Sequence, residues 1–188
     1  MKTSITLLLA LFFLASCKKE ENLLLKLMPA KPTAIAAKPD TIPDSAELKI
    51  RLVKDSINTD ETMFVFDHKS SLKYVFDQDS PYFQGFGQIS LASISSDGRD
   101  LVMNGLPYTP GMSISLDVNV KTDGSYFLGI SYEKKIPADL QIWVKDAYLK
   151  DSVDVRLRNY SFSVSKADTN SYGNKRFKIV LSNNGKGS

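Results

Sequence analysis

Apolar and polar residues alternate with a period of two through most of the chain after Glu47. In ELKIRLVK (47–54), Leu48, Ile50 and Leu52 fall on one side and Lys49 and Arg51 on the other, the pattern of a strand with one dry face. TMFVFD (62–67), QISLASI (88–94, with Ile89 and Leu91 inward) and DLVMNGLP (100–107, closed by Gly105 and Pro107) predict three more strands. MSISLDVNV (112–120) is the most regular stretch, with Met112, Ile114, Leu116, Val118 and Val120 on one face. The turn KTDG joins it, as a predicted hairpin, to SYFLGISYE (125–133), whose inward set is Tyr126, Leu128, Ile130 and Tyr132; Gly124 suits the turn because glycine accepts a positive φ. DLQIWVKD (139–146) turns Leu140, Ile142 and Val144 inward and Trp143 outward. VDVRLRNYSFSVS (153–165) reads as two short strands or as one with a bend near Asn159, and RFKIVLS (176–182) closes the series with Phe177, Ile179 and Leu181 inward.

No segment carries a helical period of globular length. The stretch 68–86 lacks alternation and is expected to be a long loop with a helical turn. About eight to ten strands, separated by frequent turn signals and each with one dry face, predict an all-β antiparallel sandwich of jelly-roll type. The expected domain runs 47–182, with a flexible tail over 183–188.

The first residues follow another pattern. Lys2 precedes an apolar run from Ile5 to Ala15, shorter than the roughly twenty residues a spanning helix needs, so it reads as an export leader. The run ends Leu14-Ala15-Ser16-Cys17, which resembles the bacterial lipoprotein signal. That resemblance implies cleavage after Ser16 (leader 1–16), a diacylglycerol on the Cys17 thiol, and acylation (palmitate or a similar chain) of the new amine. Several acyl chains hold a protein on a bilayer where one is marginal. Lys18, Lys19, Glu20 and Glu21 are a solvated run beside the headgroups, and they also resemble the surface-export signal of Bacteroidetes lipoproteins. No aspartate stands at position 18, which favours the outer membrane. Residues 17–46 then read as a lipidated tether, because Pro29, Pro32, Pro39 and Pro43 discourage regular structure. Leu23, Leu24, Leu25, Leu27 and Met28 within it lie against lipid, pack on the domain, or form a short turn.

The order of the strands brings a second resemblance. DETMFVFD (60–67), the aspartates at 77 and 79, SSDGRDLVMNGLP (95–107), DGSYFLGISY (123–132) and the closing run 139–181 are similar to the β-sandwich domain that precedes type IX secretion sorting domains in large Bacteroidetes surface proteins. This chain carries a lipoprotein signal in place of the sorting domain. The resemblance implies a free-standing surface domain and carries no catalytic residue across.

Composition narrows the chemistry. The formal net charge is +3 with no clustered basic run, so nucleic acid is not an expected partner. A single cysteine excludes an intrachain disulfide, and a single histidine leaves a histidine-based metal site or catalytic relay poorly supplied. His68 is read as an exposed loop residue. Asp77, Asp79, Asp97 and Asp100 are the nearest approach to a calcium set, but their spacing is far from a twelve-residue calcium loop, and capping of turns accounts for them. No cofactor and no resident metal is expected. The aromatic residues Tyr82, Phe83, Phe86, Trp143, Tyr148 and Tyr172 are candidates for an exposed binding surface, or else fold back over a sandwich edge. No serine-nucleophile motif and no distinguishable carboxylate pair is present. The expected function is a non-enzymatic scaffold or adhesion domain of an outer-membrane lipoprotein, with the bilayer as partner through Cys17 and envelope proteins beyond it. The alternative is glycan capture by a carbohydrate-binding lipoprotein, and a hydrolase is a distant third.

Overall fold

The computed structural model describes residues 41–183. Cys17, the leader, the tether up to residue 40 and the tail beyond 183 lie outside the described residues.

Eleven strands follow in chain order: β1 (Ala46–Val53), β2 (Thr59–Phe66), β3 (Ser80–Pro81), β4 (Ile89–Ile94), β5 (Asp100–Leu106), β6 (Ser113–Val120), β7 (Gly124–Lys134), β8 (Gln141–Asp146), β9 (Asp151–Asp154), β10 (Tyr160–Val164) and β11 (Gly173–Ser182). The expected alternation is realised almost everywhere. Leu48, Ile50 and Leu52 are fully buried, as are Leu116, Val118, Ile142, Val144, Phe177, Ile179 and Leu181. The stretch 153–165 resolves into β9 and β10, and the loop 68–86 contains one helical turn, in which the Gln78 and Asp79 amides donate to the Val75 carbonyl at 3.0 and 2.9 Å, followed by the two-residue β3.

The expected two-sheet sandwich is wrong. All strands belong to one hydrogen-bonded sheet in the order β10-β7-β1-β2-β5-β4-β6-β11-β8-β9, with β3 appended to β5. The sheet curls into a nearly closed barrel around one apolar interior. The two descriptions share a sequence signature, since alternation reports a dry face but not whether that face meets a second sheet or the far wall of its own. One pairing also departs from the antiparallel expectation: β2 and β5 run parallel, Met63 opposite Met103 and Phe66 opposite Leu106.

Side chains close the barrel where backbone ladders do not. Phe162 on β10 packs against Phe177 on β11, ring centroids 4.6 Å apart. Arg176 on β11 donates to the Ser163 carbonyl on β10 at 2.9 Å, and Tyr160 donates to Asp146 on β8 at 2.9 Å. Arg156, just after β9, pairs with Glu133 on β7 at 2.9 Å.

The shortest ladder along the strand path lies between β5 and β4, which share only the pairs Ser93–Leu101 and Ile94–Asp100. Buried Thr62, Ser93 and Asn104 knit it from inside: the Ser93 hydroxyl lies 3.2 Å from Thr62 Oγ1 and accepts from Asn104 Nδ2 at 3.3 Å. From outside, the segment before β3 seals it. Asp79 accepts from the amides of Val75 (2.6 Å) and Gly105 (2.8 Å), and Asp97 accepts from the Tyr74 amide at 3.0 Å. Gly105 permits this approach, because a Cβ there would stand 3.1 Å from the Gln78 carbonyl.

One inward prediction fails for a local reason. The β1–β7 register shifts after Ile50–Ile130, so that Tyr132 faces Lys49 and Ser131 is the extra residue of a bulge. The parity of β7 flips there, and Tyr132 is 42% exposed.

Candidate functional site

The barrel has two ends. The chain enters at one, just before Ala46; the other lies the length of β1 away, about 26 Å for eight residues at ~3.3 Å each. At that far end stand the β1–β2, β6–β7 and β8–β9 turns and the segment between β10 and β11. Contacts run across it in sequence: Lys54 Nζ donates to Thr122 Oγ1 (2.7 Å), Asp123 accepts the Lys166 amide (2.6 Å), and Lys166 Nζ sits 3.5 Å from the centre of the Tyr172 ring.

A buried ion pair is the foundation of this end. Asp146 continues the inward phase of β8, after Leu140, Ile142 and Val144, and a carboxylate there needs a partner. Arg176 provides it: Nη2 donates to Oδ2 at 2.8 Å and Nε lies 3.0–3.1 Å from both carboxylate oxygens. The remaining guanidinium nitrogen donates to the carbonyls of Ser163 and Ser171. The Phe162 and Phe177 rings stand 4.9 and 4.6 Å from the guanidinium carbon, an arrangement that suits a planar cation. Asp146 Oδ1 also accepts the amides of Tyr148 (2.9 Å) and Leu149 (3.1 Å), which shapes the β8–β9 turn. Burial pushes Asp146 up, but the Arg176 hydrogen bonds, the Leu149 amide and the Tyr160 hydroxyl outweigh it and hold the carboxyl below its ordinary value. Tyr160 is pushed up by burial and by its bond to that carboxylate.

Above the pair lies a cleft of about 590 Å³, bordered by Tyr148, Tyr172, Asn170, Asn174 and Lys175 among others, with Arg176 at its base. Its walls are tied down. The Tyr148 hydroxyl donates to Asp168 Oδ2 at 2.8 Å, and Asp168 Oδ1 accepts the Asn170 amide at 2.9 Å. Buried Ser171 accepts the Ser165 amide at 3.1 Å and its hydroxyl reaches the Ser165 carbonyl at 2.8 Å. The bond to Asp168 pushes the Tyr148 phenol up. Among the described residues none of those lining the cleft is acidic, the Asp168 carboxylate being engaged by the Tyr148 hydroxyl, and Arg176 has its donors committed below. What the cleft offers is two aromatic faces, side-chain amides and a lysine, which is equipment for holding a neutral or anionic group.

The predicted surface is thus assembled in part. Tyr148 and Tyr172 meet in the cleft. Phe86 is fully exposed at the same end, its carbonyl 3.3 Å from Lys121 Nζ, and Phe83, three residues earlier in that loop, is 84% exposed. Tyr82 is not part of this surface: its hydroxyl donates to Asp60 at 2.6 Å, and Asp60 also accepts the Leu91 amide. Trp143 stands apart on the outer face of β8, between Val180 on β11 and Asp154 on β9, and its ring nitrogen has no hydrogen-bond partner among the described residues. Of the four calcium candidates, Asp79 and Asp97 serve backbone amides, Asp77 is exposed and Asp100 opens β5. His68 is exposed at the entry end.

Arg176 is not singled out by the sequence, and Asp146 stands there only as one of several carboxylates near strand ends, no better marked than Glu133, though it holds an inward position of an alternating strand. Asn170, Asn174 and Lys175 give no signal, since polar residues in a turn are unremarkable until the fold gathers them. No family profile, curated protein or solved structure matches this chain.

Proposed function

We propose that this chain is a lipid-anchored cell-envelope protein whose barrel is a non-catalytic interaction module, binding a protein partner through the cleft end. The anchor rests on Leu14-Ala15-Ser16-Cys17 and on the resemblance to Bacteroidetes outer-membrane lipoproteins. The observation that carries the binding role is the cleft bordered by Tyr148 and Tyr172 at the end opposite the point of chain entry, with exposed Phe86 in a loop held to Lys121 at the same end. Exposed aromatic rings are costly to leave in water and are enriched at protein contacts. The described residues begin at the entry end, opposite these rings.

Photo-crosslinking in intact cells tests this. Crosslinkers at Phe86 and Tyr148 should trap the same envelope protein, and one at Thr109, at the entry end, should not. Equal trapping from both ends, or trapping from Thr109 alone, contradicts the reading. The concave shape of the cleft, with two tyrosines and two asparagines, favours one second reading, a glycan as ligand. A glycan array probed with the chain decides between them: saturable binding lost on Tyr172→Ala supports the sugar, and a blank array leaves the protein partner.

A further inference from the structure

We propose that Asp44, Asp67 and His68 form a binding site for a divalent transition-metal ion, zinc or a close analogue, at the end of the barrel where the chain enters. The three residues come from two segments that the barrel holds side by side. Asp44 precedes β1 and Asp67–His68 follow β2, and Ala46 pairs with Phe66 in the ladder between them. The Ser45 amide donates to the Phe66 carbonyl at 2.8 Å and the Asp67 amide to the Leu106 carbonyl at 3.0 Å. Ile42, two residues before Asp44, is buried in the core, which fixes the first segment as firmly as the second. The site is therefore preformed on ordered backbone, and a cation would not have to gather it from loose loops.

The geometry suits a small cation bound by mixed nitrogen and oxygen donors. One ligand atom from each of the three residues lies within 4.8 Å of the other two. His68 Nδ1 stands 2.6 Å from Asp44 Oδ2 and 3.7 Å from Asp67 Oδ1. Ligand atoms about 2.1 Å from a shared ion are separated by roughly 3.0 Å at octahedral and roughly 3.4 Å at tetrahedral angles. Each of the two distances lies within about half an ångström of one of these values, the Asp44 and Asp67 oxygens lie within 4.8 Å of each other, and exposed side chains adjust cheaply. Asp44 Oδ1 accepts the His68 amide at 2.9 Å and Asp67 Oδ1 accepts the Lys69 amide at 2.9 Å, which orient the carboxylates. An imidazole nitrogen with two carboxylates selects zinc, nickel, cobalt or copper over calcium or magnesium, which prefer oxygen alone. Asp44 and His68 are open to solvent, leaving water to complete the shell. On binding, Nδ1 gives its lone pair to the ion, and the ring proton moves to Nε2 or to solvent.

The site is separate from the cleft, and neither reading depends on the other. It is tested on the recombinant full chain in detergent carrying Cys17→Ser, which removes the one competing thiolate. Titration with Zn²⁺ should show one-to-one saturable binding in the micromolar range. Asp44→Asn, Asp67→Asn and His68→Gln should each weaken it roughly tenfold or more, with circular dichroism unchanged. Because His68 is the only histidine, its imidazole gives a single set of resonances, which Zn²⁺ should shift and Co²⁺ should broaden. No saturation by about 1 mM Zn²⁺, undiminished binding by His68→Gln, or displacement of Zn²⁺ by equimolar Ca²⁺ would each overturn the proposal.

Discussion

The two ends of the barrel are built by opposite strategies. At the cleft end the charges are hidden: Asp146 and Arg176 neutralise each other in the interior, and rings and amides face the solvent. At the entry end Asp44 and His68 are exposed together. The contrast teaches where each end's specificity resides. A buried ion pair contributes rigidity and shape, because its own electrostatics are already satisfied. Exposed carboxylates and an imidazole contribute ligand atoms whose value appears only when a cation arrives.

The largest effect should come from breaking the hidden pair. Arg176→Met leaves Asp146 buried without a partner and should cost about 3–5 kcal/mol in denaturant unfolding. Replacing both, as Asp146→Leu with Arg176→Met, should recover much of that loss; if the double variant is no better than the single, the pair is not the unit described here. By contrast, Asp44→Asn at the other end should leave the unfolding midpoint unchanged in metal-free buffer.

A smaller loss should follow Gly129→Ala. A Cβ there falls on the side-chain oxygen of Asn159, where the chain enters β10 and the barrel closes. Asn159 is exposed and the overlapping atoms are the end of its side chain, so rotation of that side chain absorbs most of the overlap and the loss should be about 1 kcal/mol, the low end of overpacking costs; combining it with Asn159→Gly should restore stability.

Acid sharpens the comparison further. Asp146 is held below its ordinary value in the folded chain. Its contribution is therefore complete above the unfolded carboxylate range, near pH 4, and is lost as pH falls through the folded value. Asp117 on β6 behaves in the reverse sense, pushed up by burial and then by nearby Asp100. Its favourable contribution exists at low pH and is lost as pH rises through the folded value. Asp117→Asn should thus raise Tm slightly at pH 7, with the gain gone near pH 3; a gain that persists in acid would place its cause elsewhere.

The smallest effect on stability should come from Phe83→Ser with Phe86→Ser, within about 0.5 kcal/mol, since both rings are exposed. Any partner bound at the cleft end should nevertheless be lost, and a large drop in stability would mean that the rings cover a core.

Much of the fold was legible because burial is periodic. The inward set from Met112 through Val120 and the outward face of Trp143 follow the alternation, but the hairpin expected across KTDG does not form: β6 pairs with β4 and β11, and β7 with β1 and β10, because a short connection fixes only where the next strand starts and not which strand it joins. What period two does not report is how strands neighbour one another. The parallel β2–β5 pair, the two-pair seam between β5 and β4 and the curling of one sheet into a barrel depend on long-range pairing, and a sandwich has the same alternation. The parity flip at Ser131 needed one extra residue that no local pattern announces. For the site, Tyr148 and Tyr172 were legible as aromatic residues in predicted turns. Tyr82 was misread because its half-buried hydroxyl bond to Asp60 is a contact between residues far apart in the chain.

The claim that the cleft end is the binding face meets its most direct test in hydroxyl-radical footprinting of the chain on intact cells against the purified chain. Phe83, Phe86, Tyr148 and Tyr172 should be protected on cells, while residues of the entry end such as His68 should be oxidised equally in both states. Protection confined to the entry end, with the four rings equally oxidised in both states, would contradict it.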